Sequence, residues 1–223
     1  MEEDIKKNVL KTGTTTIGLV CKDGIVLAAD KRGTYGGDSG VSYIASRDHD
    51  KIKQINENMI VTIAGVSSDI QKVIKIMRAE LRLKELRTKS KPTVKEAANL
   101  FSNIVYQNIR QFSPIPAITH FLLAGNDDKN IYLYEISADG LLEEIKDYAA
   151  TGSGMIQVNP ILDSEYTKEL TVEQAIKLAK KCINASMNRD PGSGGGIDIF
   201  VVKPSKIEQV TKQEAVVEYK DIK

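Results

Sequence analysis

The pattern of apolar and polar positions divides the chain into short strand-like blocks at both ends and helical blocks between them. Residues 14–21 and 24–30 are dense in Val, Ile, Leu and Thr and read as two strands joined by the turn Lys22-Asp23-Gly24. A glycine-rich stretch, Gly33 to Gly40, reads as a loop. Shorter strands are expected at 43–46 and 51–55, and a stronger one at Met59–Gly65. The period then changes. Ile70, Val73, Ile74, Met77 and Leu81 share one helical face, with Ser68 and Gln71 spaced as a capping box. Thr93 and Glu96 open a second helix, whose stripe is Val94, Ala97, Phe101, Ile104 and Val105. Strands return near 117–125 and 130–136 around the turn Asn126-Asp127-Asp128, and again over 141–151 after Asp139-Gly140. A helix follows Gly152-Ser153-Gly154. Another, capped by Thr171 and Gln174, carries Ala175, Leu178, Cys182 and Ala185 and stops at Asn188-Arg189-Asp190-Pro191-Gly192. Gly196–Val202 is the last long strand, and the charged tail after Pro204 reads as short strand or coil. Apolar strands beside amphipathic helices predict an α+β fold, two stacked sheets with helices on the outer faces.

Composition narrows the function. The 223 residues are 41% hydrophobic, enough for one globular domain. Lys and Arg number 31 against 30 Asp and Glu, a net charge of +1, and no basic stripe interleaves with aromatics, so nothing points to nucleic acid. The two cysteines, Cys21 and Cys182, make no disulfide framework and read as buried thiols in a reducing compartment. His49 and His120 lack ligand spacing, so neither a metal nor a cofactor is expected. No apolar run is long enough to span a membrane, and the polar start Met1–Lys7 lacks the form of a signal peptide. The expected location is the cytoplasm.

The candidate chemistry begins at Gly13-Thr14. A cut there would give Thr14 a free α-amine beside its own hydroxyl. An α-amine titrates at roughly 7.7–8.0, and a threonine paired with such an amine is an activated nucleophile. On its own, the Thr14-Thr15-Thr16 run reads better as β-branched strand filling than as a nucleophile.

Five separated segments resolve that ambiguity in concert: TGTTTIGLVCKDGIVLAADKR, IASRDHDKIKQI, TIAG, TGSG and NRDPGSGGGID. In this order and spacing they closely resemble the β-subunits of the archaeal 20S proteasome, over nearly all of the chain from Thr12 to about Lys203. The resemblance implies a four-layer αββα sandwich of two antiparallel sheets flanked by helices. It also implies a removable propeptide, residues 1–13, ahead of a single N-terminal-nucleophile hydrolase domain, 14–223. The implied activity is a threonine endopeptidase that sheds its own leader at Gly13-Thr14 and cleaves unfolded polypeptides in a closed chamber. Its implied partners are a heptameric β-ring, a ring of α-subunits and, indirectly, an ATP-dependent unfoldase. Residue by residue, Thr14 matches the nucleophile, and Asp30 and Lys51 match the buried pair beside it. Arg32 matches a supporting arginine and Gly65 the oxyanion donor. Ser153, Asp190 and Ser193 match the trio around the threonine amine.

The elementary chemistry agrees with those roles. A nearby ammonium lowers a hydroxyl's pKa, and an aspartate beside it keeps it charged. A glycine lets backbone approach closely. The chain departs from the family pattern at Tyr35–Tyr43, about five residues longer, an insertion that loops accommodate cheaply. Asp50 also stands where a basic residue is common. Gly33, His49, Lys53, Ile63 and Ser67 are the candidate specificity pocket. Lys53 shares a strand face with Lys51 and points to acidic or polar side chains before the cut bond. One other reading stays open, a structural β-ring subunit that never matures; against an N-terminal-nucleophile amidohydrolase acting on a small amide stand the Thr-Gly-Ser-Gly and Ser-Gly-Gly elements, which match the proteasome branch.

Overall fold

Alternation along one strand shows how the layers arise. In β7 (Met59–Val66), Met59, Val61 and Ile63 face a pair of helices, whereas Ile60 faces a second sheet. The helices are α1 (Ser67–Thr88) and α2 (Val94–Arg110). The computed structural model describes residues 11–36, 42–113, 116–128 and 130–215.

The first sheet runs β1 (Lys11–Thr12), β7, β8 (Thr119–Asp127), β9 (Asn130–Ile136) and β10 (Leu142–Glu144), with β6 (Ile52–Asn56) also pairing β7. The second runs β11 (Tyr148–Thr151), β2 (Thr16–Cys21), β3 (Gly24–Asp30), β12 (Gly196–Lys203) and β13 (Lys206–Glu214). Every pairing in both sheets is antiparallel. A small hairpin joins β4 (Gly33–Gly36) to β5 (Ser42–Ser46).

Three apolar clusters cement the layers. Ile70, Met77, Phe101 and Val105 seal α1 and α2 onto the first sheet. Leu27, Ile60, Leu122 and Leu133 fill the space between the sheets. Ile17, Leu19, Ile199 and Val201 pack under α3 (Met155–Glu165) and α4 (Val172–Met187) with Leu162, Ala179 and Cys182. The result is the expected αββα sandwich.

The capping boxes at Thr93–Glu96 and Thr171–Gln174 both form. The one expected at Ser68–Gln71 does not. The chain passes straight from β7 into α1 through an extended Val66, whose N–H bonds the Ile118 carbonyl, so no side chain caps the helix. Three further expectations change. Gly33–Gly36 is strand rather than loop, while residues 37–40, the rest of the glycine-rich stretch, lie outside the described residues. The 141–151 segment splits into β10 and β11, one in each sheet, because the chain crosses between them at Ile145–Asp147. The tail is a nine-residue edge strand, β13, paired along the whole of β12. Its polar side chains suit an edge and hide its strand character.

Candidate active site

The second sheet brings the carboxylate and the threonines together. Asp30 ends β3, and its N–H bonds the Thr15 carbonyl at the head of β2. Its side chain, wholly buried, accepts four hydrogen bonds. Oδ1 takes the Thr15 N–H at 2.8 Å and the Lys51 ammonium at 2.8 Å; Oδ2 takes the Arg32 N–H at 3.0 Å and the Gly194 N–H at 2.9 Å. Four donors, one of them a cation, thus satisfy both oxygens of the buried carboxylate.

Lys51, also wholly buried, enters from just before β6 and donates to the Gly13 carbonyl oxygen at 2.6 Å. Burial pushes its ammonium below the usual lysine range, and the Asp30 charge opposes that shift. A single cation thus links the Asp30 carboxylate to the carbonyl of the bond that precedes Thr14.

The strand ahead of that bond lies on the sheet edge. In β1, Lys11 pairs Val66 and Thr12 pairs Gly65, so the two residues ahead of Gly13 extend the first sheet beside β6. The Gly13 N–H donates to Thr34 Oγ1 at 3.2 Å. Gly13 is pressed against the Pro191-Gly192 turn: a Cβ on it would lie 2.2 Å from the Gly192 Cα. Gly65 has φ +122°, and a Cβ there would meet the Ile118 carbonyl oxygen at 2.2 Å, so only glycine suits this point on the rim.

On the other side of Thr14, its N–H donates to Ser153 Oγ at 3.2 Å. Ser153 and Ser193 both donate to Asp190 Oδ2, at 2.7 and 2.6 Å. An ionised carboxylate only accepts, so the proton order of the whole chain follows. Ser193 spends its proton on Asp190 and therefore accepts from Thr15 Oγ1 at 2.7 Å; Thr15 in turn accepts from the Ser186 hydroxyl. Arg32 donates to the Pro191 carbonyl at 2.9 Å and its guanidinium lies where a Gly194 side chain would be, which clamps the turn that carries Asp190 and Ser193.

Of the eight matched residues, Lys51 and Ser153 touch the Gly13-Thr14 bond at its carbonyl and its nitrogen, Asp30 and Asp190 reach it through one partner and Arg32 and Ser193 through two, and Gly65 pairs Thr12 ahead of it. Of the pocket candidates, His49, Lys53, Ile63 and Ser67 line one cavity of about 310 Å³. Gly33 stands behind His49 rather than in its wall: a Cβ on Gly33 would be 3.6 Å from the His49 Cβ.

Sequence reading missed Thr15, Ser186, Lys31 and Thr34. Ser186 did leave a trace, since it continues the buried face of Ala175, Ala179 and Cys182 with a polar residue where the period calls for an apolar one. Lys31 is wholly buried beside Asp48 at 2.5 Å and Asp198 at 3.8 Å, and its backbone bonds both Gly194 and His49. Gly154 was read only as a turn residue. A Cβ there would fall 1.8 Å from Thr15 Oγ1 and 2.1 Å from Ser186 Oγ. Gly154→Ala should thus cost about 1–3 kcal/mol by overpacking, seen in thermal unfolding, and lower peptide turnover by splitting the hydroxyl chain. Wild-type unfolding and turnover together would refute this account of the turn.

Two antiparallel sheets stacked between helix layers, with a threonine at the head of an inner strand, form the sandwich of the N-terminal-nucleophile hydrolases. The chain belongs to the proteasome subunit family, whose model matches residues 10–202 and so spans every residue above. It is 40% identical over 212 residues to a proteasome subunit beta of Archaeoglobus profundus, covering 95% of this chain and 94% of that one. A proteasome subunit beta of Archaeoglobus fulgidus is 37% identical over 210 residues, 94% of each chain. A "proteasome subunit beta 2" of Aeropyrum pernix is 37% identical over 205 residues, 92% of this chain and 89% of that one. Among the described residues, no group of side chains could hold a metal ion and no helix is long and apolar enough to cross a membrane.

Proposed function

We propose that this chain is a catalytic β-subunit of a 20S proteasome, a threonine endopeptidase that frees its own nucleophile by cutting Gly13-Thr14. The observation that carries the reading is the Lys51 ammonium, 2.6 Å from the Gly13 carbonyl oxygen and 2.8 Å from Asp30. A carbonyl held by a buried cation is polarised toward attack, and Thr14 Oγ belongs to the adjoining residue.

In the first round Oγ adds to the Gly13 carbonyl carbon, with the negative oxygen stabilised by Lys51 and the Gly65 backbone. Collapse breaks the Gly13–Thr14 C–N bond as the proton given up by Oγ passes to the leaving nitrogen, which leaves Gly13 esterified to Oγ beside a free Thr14 amine. Water hydrolyses the ester, releasing residues 1–13 as a carboxylic acid and restoring the hydroxyl. Until then the Thr14 nitrogen is an amide and cannot act as a base. Afterwards its amine takes the Oγ proton at each attack on a substrate, held by Ser153 and, through it, Asp190. The leader strand on β7 marks the edge along which a substrate peptide would add.

On this reading residues 14–223 form the mature hydrolase domain, working in the cytoplasm in a ring with further β-subunits against a ring of α-subunits. The test is peptide hydrolysis by the protein alone and after co-assembly with a proteasome α-subunit. Turnover confined to the assembled particle supports the reading. An assembled particle that cleaves no peptide in a broad fluorogenic panel would instead indicate a structural β-subunit.

A further inference from the structure

The hydroxyl chain behind Thr14 starts at a residue that no sequence motif marked. Ser186, in the last turn of α4, is wholly buried on the face that Ala175, Ala179 and Cys182 fill with apolar groups. A buried helical serine ordinarily bonds back to a carbonyl of the turn below it. The Ser186 hydroxyl instead crosses to Thr15 Oγ1, just ahead of β2. The missing side chain of Gly154 leaves the room for that crossing.

Ser186 holds Asp190 from two directions. Its backbone carbonyl accepts the Asp190 N–H at 2.7 Å. Its hydroxyl reaches the Asp190 carboxylate through Thr15 and Ser193, with 2.7 Å between those two hydroxyls and 2.6 Å from Ser193 Oγ to Oδ2. The ring closes on one residue, so the main chain and the carboxylate of Asp190 are fixed together. The same Oδ2 accepts from Ser153, whose oxygen takes the Thr14 N–H at 3.2 Å. Thr15 adds a tie on the other side, because its own N–H donates to Asp30 Oδ1 at 2.8 Å.

Each hydroxyl has one proton to give. Asp190 takes those of Ser153 and Ser193, Ser193 takes that of Thr15, and Thr15 takes that of Ser186. Along such a chain each bond polarises the next. Without Ser186, Thr15 Oγ1 is a buried acceptor with no donor, and nothing keeps its hydroxyl turned toward Ser193.

Resting on the peptidase reading above, we infer that Ser186 is a positioning residue for the Thr14 amine. Through Thr15 and Ser193 it holds the Asp190 carboxylate where Ser153 presents its oxygen to that nitrogen. Ser186 touches neither substrate nor reacting atom, so its loss slows the chemical step and leaves substrate binding alone. The leader still comes off, since that single event has the whole of assembly to finish and Lys51 holds the Gly13 carbonyl by a separate bond.

The experiment measures kcat and KM for one fluorogenic peptide on co-assembled particles, with the intact mass of the subunit taken alongside. Ser186→Ala should lose residues 1–13 and show kcat lowered about 10-fold at unchanged KM, the scale of one lost hydrogen bond. Thr15→Val, which keeps the branched shape without the hydroxyl, should fall at least as far, and Thr15→Ser, which keeps the hydroxyl, should retain wild-type turnover. The deciding arm adds Ser186→Ala to Thr15→Val. No further fall supports action through Thr15; losses that multiply are those of packing alone and overturn it. Should the alanine variant not assemble, Ser186→Cys, of similar size but a weak donor, takes its place in the same comparison. Mature Ser186→Ala particles with wild-type kcat, or with only KM changed, overturn this inference and leave the peptidase reading standing. Wild-type particles that keep the leader and cleave no peptide overturn both.

Discussion

Thr14→Ala gives an assembled subunit that keeps its leader and hydrolyses no peptide above background. The loss expected for deleting a nucleophile is on the order of 10⁶ in kcat. The substitution removes two heavy atoms and leaves the backbone ties intact, because the N–H to Ser153 and the carbonyl accepting Gly154 N–H at 3.1 Å do not depend on the side chain. Assembly should thus survive, which separates lost chemistry from lost folding. Thr14→Ser keeps the hydroxyl and should retain both leader removal and measurable turnover. Wild-type turnover by the alanine variant would remove Thr14 from the mechanism.

Breaking the buried ion pair gives the second large effect, and it appears in stability as well as in rate. Asp30→Asn leaves Lys51 buried without its counter-ion, which typically costs about 3–5 kcal/mol. Burial already lowers the Lys51 pKa, and removing the carboxylate that opposes this lowers it further, toward a neutral amine that polarises a carbonyl poorly. Lys51→Met instead strands Asp30, though the Thr15, Arg32 and Gly194 N–H groups still satisfy part of it. Both variants should lose on the order of 10³ in turnover, comparable to removing an oxyanion donor. The double variant should be less destabilised than the two single losses added together, since neither charge is left unpaired. Denaturant titration of the four proteins checks this; strict additivity would mean that the 2.8 Å contact carries no coupling.

The layers were legible because burial leaves a periodic trace. Phe101 and Val105 on α2, and the alternation of Ile60 with Val61 on β7, sort to the faces their spacing implies. The caps at Thr93 and Thr171 were legible for the same reason, as a local bond writes a local pattern. Edge pairing writes none. β1 on β7 and β13 on β12 are held by backbone groups, and the side chains of β13 are free to be polar. The α1 start was misplaced because Ser68 and Gln71 have the spacing of a cap while the β7 strand feeds the helix without a break.

Within the site, Thr14, Asp30 and Lys51 were found through ordered motifs rather than by spacing, because 37 residues of sequence separate Thr14 from Lys51 and only the paired sheets bring them together. Lys31 stayed hidden because a single lysine after a strand reads as a solvated end. Its burial depends on Asp48 and Asp198, which come from two other segments. Thr15 read as strand filling, and its hydroxyl acquires a role only when α4 delivers Ser186 and the glycine turn delivers Ser193.

The most direct test of the central claim is the intact mass of this subunit before and after co-assembly with a proteasome α-subunit. Liberation of the Thr14 amine predicts a shift equal to residues 1–13, with Thr14 found as the first residue by N-terminal sequencing. A full-length mass in a fully assembled particle, or a new N-terminus at any other position, would contradict it.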